Sequence, residues 1–366
     1  MNPARGPVSV TVRARTDLGR TRDHNEDAFL VADLTTRTTD LTDGGPHSVG
    51  ERGLVFLVAD GMGGAAAGEL ASSMAADLIF RHLIESSTEG AGGDPEVFAQ
   101  HLRGAVEQAN EYIHTYSKEH PDVRGMGTTA TVAGVLQGTL YLAQVGDSRG
   151  YLVRDGVATQ ITKDQSLMQR LVDAGELTEE EAAQSERRNI ILQALGPDAK
   201  IRVDLTWQEL HRGDTLVICS DGLSGQVKRE ELAALLEQEK DLDVLCDKLI
   251  AMANERGGPD NITVVLVRFD GEGLPSTGTD GDVGYHSMST AEADSDEVLV
   301  TKPPPAPPAP PAAAVTPPPP PAPLPVPPPV EQTSAKPPAR SGSPATAALL
   351  TGGLLLLLVI LYFLLR

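Results

Sequence analysis

Hydrophobic residues recur along the first 270 positions with two periods, one near two residues and one near four. Val8, Val10 and Val12 alternate with polar neighbours and open the chain as a strand. Strand-length apolar runs follow at Gly53–Ala59, Thr128–Leu136, Leu140–Val145, Arg149–Arg154, Leu216–Cys219 and Ile262–Phe269. Gly138 and the pair Asp155-Gly156 punctuate the middle of this series, which predicts antiparallel hairpins there. Helical spacing takes over in Glu69–Ile84, behind a glycine-rich loop. It returns in Glu96–Glu119, where Val97, Phe98, Leu102, Val106, Ala109 and Ile113 share a face. A third helix is expected near Glu230–Ala253, just before the last strand. Antiparallel strands with long helices between them predict an α+β fold built on a layered sheet sandwich. Between Asp164 and Gly196 the texture changes to Leu167, Leu171 and Val172, then Thr178-Glu-Glu-Glu181 and Glu186-Arg-Arg188, which reads as a small helical insertion on the surface.

The periodicity stops at Asp270, so the globular domain is placed at residues 8–270, long enough to bury a core without staples. Residues 271–302 are Gly, Ser, Thr and acid and are expected to be a disordered linker. Residues 303–344 are proline-rich, with 17 of the chain's 28 prolines between Pro303 and Pro329, and should form a semi-rigid polyproline spacer. Residues 345–365 carry no charge and are long enough to span a bilayer as one helix. Tyr362 and Phe363 sit where an interfacial belt would lie. Lys302, Lys336 and Arg340 precede the run, which predicts a single-pass, tail-anchored protein of the cell membrane with its domain in the cytoplasm. No apolar leader precedes Val8.

The chain has 51 acidic and 30 basic residues, a formal charge of −21. A surface of that sign argues against general nucleic-acid binding. Residues 270–300 contribute eight acids and no Lys or Arg, and much of the remaining excess falls in the domain, where it could hold cations. Two cysteines, Cys219 and Cys246, exclude a disulfide framework and a cysteine-based zinc site, and fit a reduced compartment.

Several carboxylates stand at strand ends. Asp60 follows Leu54–Ala59 and opens Asp60-Gly61-Met62-Gly63-Gly64; Asp221 follows Leu216–Cys219 and opens a second Asp-Gly pair. Asp147 lies between two strands in Val145-Gly-Asp-Ser-Arg149, Asp260 immediately precedes Ile262, and Glu26 and Asp27 close Arg22-Asp-His-Asn-Glu-Asp27. One Asp-Gly is usually only a turn. If the strands converge, four or five carboxylates meet in one cleft, and divalent cations are the natural remedy for their repulsion. All-oxygen ligation favours Mg²⁺ or Mn²⁺. Two such ions flanked by aspartates suit attack of an acidified bridging water on phosphorus, and Arg22 would grip the phosphate oxygens.

These motifs carry a resemblance. Arg22-Asp-His-Asn-Glu-Asp27, Ala59-Asp-Gly-Met-Gly-Gly64, Gly125-Met-Gly-Thr-Thr129, Val145-Gly-Asp-Ser-Arg149, Ser220-Asp-Gly-Leu223 and Pro259-Asp-Asn-Ile-Thr263 occur in the order seen in the protein phosphatase 2C family of metal-dependent serine/threonine protein phosphatases, bacterial branch. The resemblance spans residues 9–269. It implies a β-sandwich of two antiparallel sheets flanked by helices, with two core Mn²⁺ or Mg²⁺ ions and room for a third at one edge. On it, Asp60 resembles the carboxylate bridging the two core metals, and Gly61 offers a carbonyl to the second. Asp221 and Asp260 complete the shell of the first metal. Asp147, with Asp221, matches the third metal's site. Glu26 and Asp27 act near the second metal, directly or through its waters. Arg22 matches the phosphate-binding arginine, and the insertion matches a flap that helps choose substrates. Met62 stands where animal members carry a histidine; Gln165, Ser185-Glu186 and Gln193 depart from the usual flap residues.

The implied activity is hydrolysis of phosphoserine and phosphothreonine in proteins by direct attack of a metal-bridging hydroxide. No cysteine or histidine is placed as a nucleophile, and the expected partners are phosphoproteins, among them Ser/Thr kinases or their substrates. Two other readings stay open at this point: a non-catalytic, membrane-tethered module that binds phosphorylated segments, and a phosphohydrolase of small molecules.

Overall fold

The computed structural model describes residues 6–276 and 282–288, apart from 40, 44 and 87–92. In chain order its elements are β1 (Ser9–Asp17), β2 (Asp27–Asp33), β3 (Pro46–Ser48), β4 (Leu54–Met62), α1 (Ala65–Ser86), α2 (Pro95–Glu119), β5 (Gly127–Thr128), β6 (Ala130–Leu136), β7 (Thr139–Val145), β8 (Arg149–Arg154), β9 (Val157–Gln160), α3 (Leu167–Asp173), α4 (Glu179–Gln184), β10 (Asp204–Glu209), β11 (Thr215–Cys219), α5 (Asp221–Ser224), α6 (Arg229–Gln238), α7 (Leu242–Glu255) and β12 (Ile262–Asp270).

The strands form two antiparallel sheets, ordered β3-β1-β12-β11-β8-β9 and β10-β7-β6-β4-β2. The longest ladder ties the ends of the domain together, running from Ser9 opposite Asp270 to Asp17 opposite Ile262. Runs without polar alternation have a simple cause here: both faces of the central strands are covered. On β4, Leu54, Phe56 and Val58 face the other sheet, where they meet Val12, Leu216, Ile218 and Val265. Val55, Leu57 and Ala59 face the opposite way and pack with Ile79 and Leu83 of α1 and Leu102, Val106 and Ile113 of α2. A third cluster joins Val217, Val264 and Leu266 of the first sheet to Leu245, Cys246 and Leu249 of α7. The result is four layers, helix–sheet–sheet–helix, as the family resemblance implied. Cys219 and Cys246 are buried and unpaired by disulfide.

The expected helix over 230–253 is two helices. Asp241 interrupts it by accepting from the amides of Asp243 and Val244 as the cap of α7. The insertion is two short helices, α3 and α4, the second held by a reciprocal capping box between Thr178 and Glu181.

The chain does not leave the domain at Asp270, and the expectation of disorder throughout 271–302 needs correcting. Leu274 is buried, Gly273 donates to Pro7 O, and Arg212 N donates to Pro275 O. Residues 282–288 then lie along β10, the outermost strand of the second sheet, bridging Thr206 to Ser287. The rest of the acidic segment, the proline-rich stretch 303–344 and the expected membrane span 345–365 lie outside the described residues. Among the described residues no helix is long and apolar enough to cross a membrane.

Candidate metal and phosphate site

Two strands that pair directly begin the site. In the β2–β4 ladder Asp27 sits opposite Asp60, which puts two carboxylates at one sheet end. The Asp60 peptide is locked on both sides: its N–H donates to Thr129 Oγ1 (2.9 Å), and its carbonyl accepts from Thr129 N (2.8 Å) and Thr128 Oγ1 (3.0 Å). Thr129 Oγ1 also meets Ser148 Oγ at 2.9 Å, beside Asp147. Gly61 follows within β4, paired with Thr128 of β5; a side chain there would collide with the carbonyls of Gly68 and Glu26, so this close approach admits only glycine.

The first sheet brings the other carboxylates. Asp221 is the first residue of α5, directly after β11, and Asp260 lies just before β12. Gly222 lets α5 approach closely, because any side chain there would strike the Asn261 carbonyl. Asp27 spans the two sheets: its Oδ2 accepts from Thr263 Oγ1 (2.6 Å) and Ser220 Oγ (2.8 Å). Asn261 fixes the segment carrying Arg22 and Glu26. It accepts from Glu26 N (2.8 Å) and donates to Leu18 O (3.0 Å) and His24 O (2.9 Å). Arg22 Nη2 donates to Asp260 Oδ2 at 2.7 Å, and its guanidinium is half exposed at the mouth of the cluster.

The structure therefore brings Asp27, Asp60, Asp147, Asp221 and Asp260 into mutual electrostatic contact, with Arg22 and Glu26 at the rim. For Asp27, Asp60, Asp147 and Asp221, burial raises the acid more than mutual repulsion does. Burial first and Asp221 next push Asp147 up to about 7. Burial also takes Asp27 up to about 7 despite the hydrogen bonds from Thr263 and Ser220. Asp221 is pushed to about 6, by burial and then Asp260. Asp60 is raised well above the usual carboxylate range, by burial and then by Asp27, Asp221, Asp147 and Asp260 in turn. Burial likewise raises Glu26, whereas the hydrogen bond to Asp260 raises Arg22.

Does this donor set suit divalent cations? Three buried carboxylate oxygens, Asp27 Oδ1, Asp147 Oδ1 and Asp221 Oδ1, have no hydrogen-bond partner. Buried acceptors without partners are costly. Protons can neutralise such a cluster only at the expense of its ionisation; a hard cation satisfies the orphan oxygens and restores it. The donors fit. Among the described residues no three acidic or imidazole side chains are drawn tightly enough together to form a closed cage. Two contacts occupy the cluster here: Arg22 pairs with Asp260, and Asp60 and Asp221 are within hydrogen-bonding reach of each other. Metal entry would replace both contacts.

Reading the residues alone singled out the charged groups but not Asn261, Thr263, Ser220, Thr129 and Ser148, which hold them. Their adjacency to the acidic motifs was the available signal, since a short polar residue next to a buried carboxylate usually hydrogen-bonds to it.

Comparison with known proteins agrees with the fold and the motifs. A family model described as protein phosphatase 2C matches residues 39–266. The chain belongs to the protein phosphatase 2C family. It is 38% identical over 256 residues to the serine/threonine phosphatase stp of Listeria monocytogenes, covering 70% of this chain and 94% of that one. A serine/threonine phosphatase structure from S. agalactiae superposes with a TM-score of 0.63 at 34% identity, covering 71% of this chain and 99% of that one. The catalytic domain of PstP, determined in complex with two manganese ions, matches with a TM-score of 0.58 at 36% identity, covering 72% and 99%. This protein phosphatase 2C is thus a bacterial-type protein serine/threonine phosphatase.

Proposed function

We propose that this phosphatase hydrolyses phosphoserine and phosphothreonine monoesters at the Asp27–Asp60–Asp147–Asp221–Asp260 cluster, with two Mn²⁺ or Mg²⁺ ions and room for a third. The observation that carries the proposal is the trio of orphan buried carboxylate oxygens, which need cations rather than protons to be ionised at neutral pH. Bound there, the ions supply Lewis-acid charge neutralisation and acidify water. Asp60 would be held in common by the two core ions, Asp221 and Asp260 would serve one of them and the Gly61 carbonyl the other, and Asp147 with Asp221 would hold a third. Glu26 and Asp27 flank the second ion's side. Arg22 swings from Asp260 to the phosphoryl oxygens, a short move for a half-exposed guanidinium. Its planar fork suits bidentate binding.

In this reading water, not a side chain, attacks phosphorus; Cys219, buried with its thiol pushed up to about 12 by burial, is not placed as a nucleophile. The complete set of acidic ligands argues against the non-catalytic reading. We place the enzyme at the cytoplasmic face of the cell membrane, tethered by the uncharged run 345–365 and acting on kinases or their substrates there. The decisive test is phosphate release from a phosphothreonine peptide by the purified full chain. Turnover should require Mn²⁺ and stop with chelator. Metal-independent turnover, or none with Mn²⁺, would overturn the proposal. Membrane placement is tested separately, by fractionation of cells expressing the full chain and a chain ending at 344.

A further inference from the structure

Residues Asp282–Met288 run antiparallel to the open edge of β10. Trp207 N donates to His286 O (3.0 Å) and Met288 N to Leu205 O (2.8 Å), so Thr206 and Ser287 face each other as a non-hydrogen-bonded pair. The buried Gln208 side chain reads the strap's backbone from below, donating to Asp282 O (2.8 Å) and accepting from Gly284 N (3.1 Å). Tyr285 reaches along the strand to the first residue of β10 and donates to the Asp204 carboxylate at 2.7 Å. On the other face His286 lies against Trp207, with ring centroids 5.6 Å apart. Met288 closes one side of a recess of about 280 Å³ shared with Tyr141 and Trp207.

What this strap holds matters more than that it is held. Asp204 pairs with Gln144 of β7. Gln144 in turn wraps the turn carrying Asp147, donating to Gly146 O (3.3 Å) and Ser148 O (3.0 Å). Both ends of the 164–196 insertion meet the same place. Gln165 accepts from Gly146 N (3.0 Å) and donates to Arg202 O (3.3 Å), and Arg202 N donates to Gln193 Oε1 (2.8 Å). The insertion carries two exposed apolar side chains, Ile190 and Leu192, suited to contact with a protein substrate. The start of β10 is therefore the point where the strap, the insertion and the Asp147 turn are joined.

We propose that the strap Asp282–Met288 positions the insertion for protein substrates, acting through Tyr285 and Asp204, so that the working catalytic unit extends past Asp270 to Met288. Tyr285 is a positioning residue, touching neither the carboxylate cluster nor the substrate. The inference rests on the phosphatase reading only for its kinetic arm.

The test uses the full chain, in which Trp207 is the sole tryptophan and reports docking directly. Tyr285→Glu sets a carboxylate against Asp204, whose own acid is already raised by burial, and should detach the strap. The expected result is a red shift of Trp207 emission, with faster amide exchange at Trp207 and Met288 and also at Gly146, Gln165 and Arg202. KM for a phosphothreonine peptide should rise about fivefold, equivalent to ~1 kcal/mol of binding, with its kcat and all kinetics on a small aryl phosphate kept. Tyr285→Phe, which keeps the ring and the backbone pairing, should shift each readout less. A detached strap with unchanged exchange at Gly146, Gln165 and Arg202 overturns the inference, and so does a Tyr285→Glu chain whose emission does not move. An inactive parent chain would count against the phosphatase reading alone, because the exchange measurement needs no turnover.

Discussion

Replacing Asp147 by asparagine should stabilise the metal-free protein while weakening its hold on metal. Asp147 is 6% exposed, and its Oδ1 lacks a partner. Its acid is pushed from 3.8 to about 7, by burial first and by Asp221 and Asp164 next. Keeping it ionised above that pH costs at most about 4 kcal/mol, at 1.36 kcal/mol for each tenfold change in acidity. Neighbouring carboxylates that take up protons relieve part of this, so about 1–2 kcal/mol should be recovered on neutralising one site. For a domain of this size that is a rise of about 2–8 °C in the unfolding midpoint at pH 8 with chelator. The assay is thermal unfolding followed by circular dichroism, with chelator and with saturating Mn²⁺. Parent protein should gain midpoint with Mn²⁺, and Asp147→Asn should gain less from a higher start. A variant less stable than its parent in chelator would refute the reasoning, since it would mean that Asp147 is well solvated or already paired.

Further outcomes follow from the same geometry. The folded, metal-free protein keeps protons on Asp27, Asp147 and Asp221 up to about pH 6–7, whereas an unfolded aspartate releases its proton near pH 4. Between those values the folded state binds more protons, so stability in chelator should fall as pH rises through that window; the Mn²⁺ gain should widen toward pH 8, and a pH-independent gain would contradict this. Arg22→Ala should lower kcat/KM for a phosphopeptide by about 10- to 100-fold, the loss of one charge-assisted contact worth ~1.5–3 kcal/mol, and Arg22→Lys should restore only part of it. Away from the site, Arg154 and Asp214 form a two-bond ion pair (2.9 and 2.7 Å) with side chains 8% and 0% exposed. Asp214→Ala takes the carboxylate from a buried guanidinium, leaving Nη2 its bond to Glu209 O, and removes the acceptor of the His211 amide; it should cost about 3–5 kcal/mol in urea unfolding.

The central strands were legible because they are covered on both faces, and continuous apolar runs such as Leu54–Ala59 have no other stable home. β10 was not, because its polar residues point inward. Thr206 and Gln208 are buried and satisfied by Ile161 O and Asp282 O, while Trp207 stays partly exposed, so its pattern runs opposite to the usual one. The split between α6 and α7 depended on Asp241 choosing a capping role, which spacing alone does not reveal. The carboxylates were legible from their positions at strand ends. Asn261, Thr263 and Ser220 were not, since neutral hydrogen-bonding residues declare a function only once their partners are placed. The strap was hidden for a related reason: much of its hold on the domain lies in backbone pairing, the Gln208 amide and one tyrosine hydroxyl, and its apolar contacts through Val283 and Met288 are too few and too widely spaced to give a periodic signal.

The central claim, that the buried aspartates act as metal ligands for phosphoester hydrolysis, is tested most directly by Asp221→Ala. Its carboxylate faces Asp60 and Asp260 and leaves one oxygen unpartnered, so its removal should abolish the proposed metal binding there without disturbing the sheets. With saturating Mn²⁺ and a phosphothreonine peptide, the variant should show no measurable phosphate release while its circular dichroism matches the parent. Parental turnover by a folded Asp221→Ala protein would contradict the account.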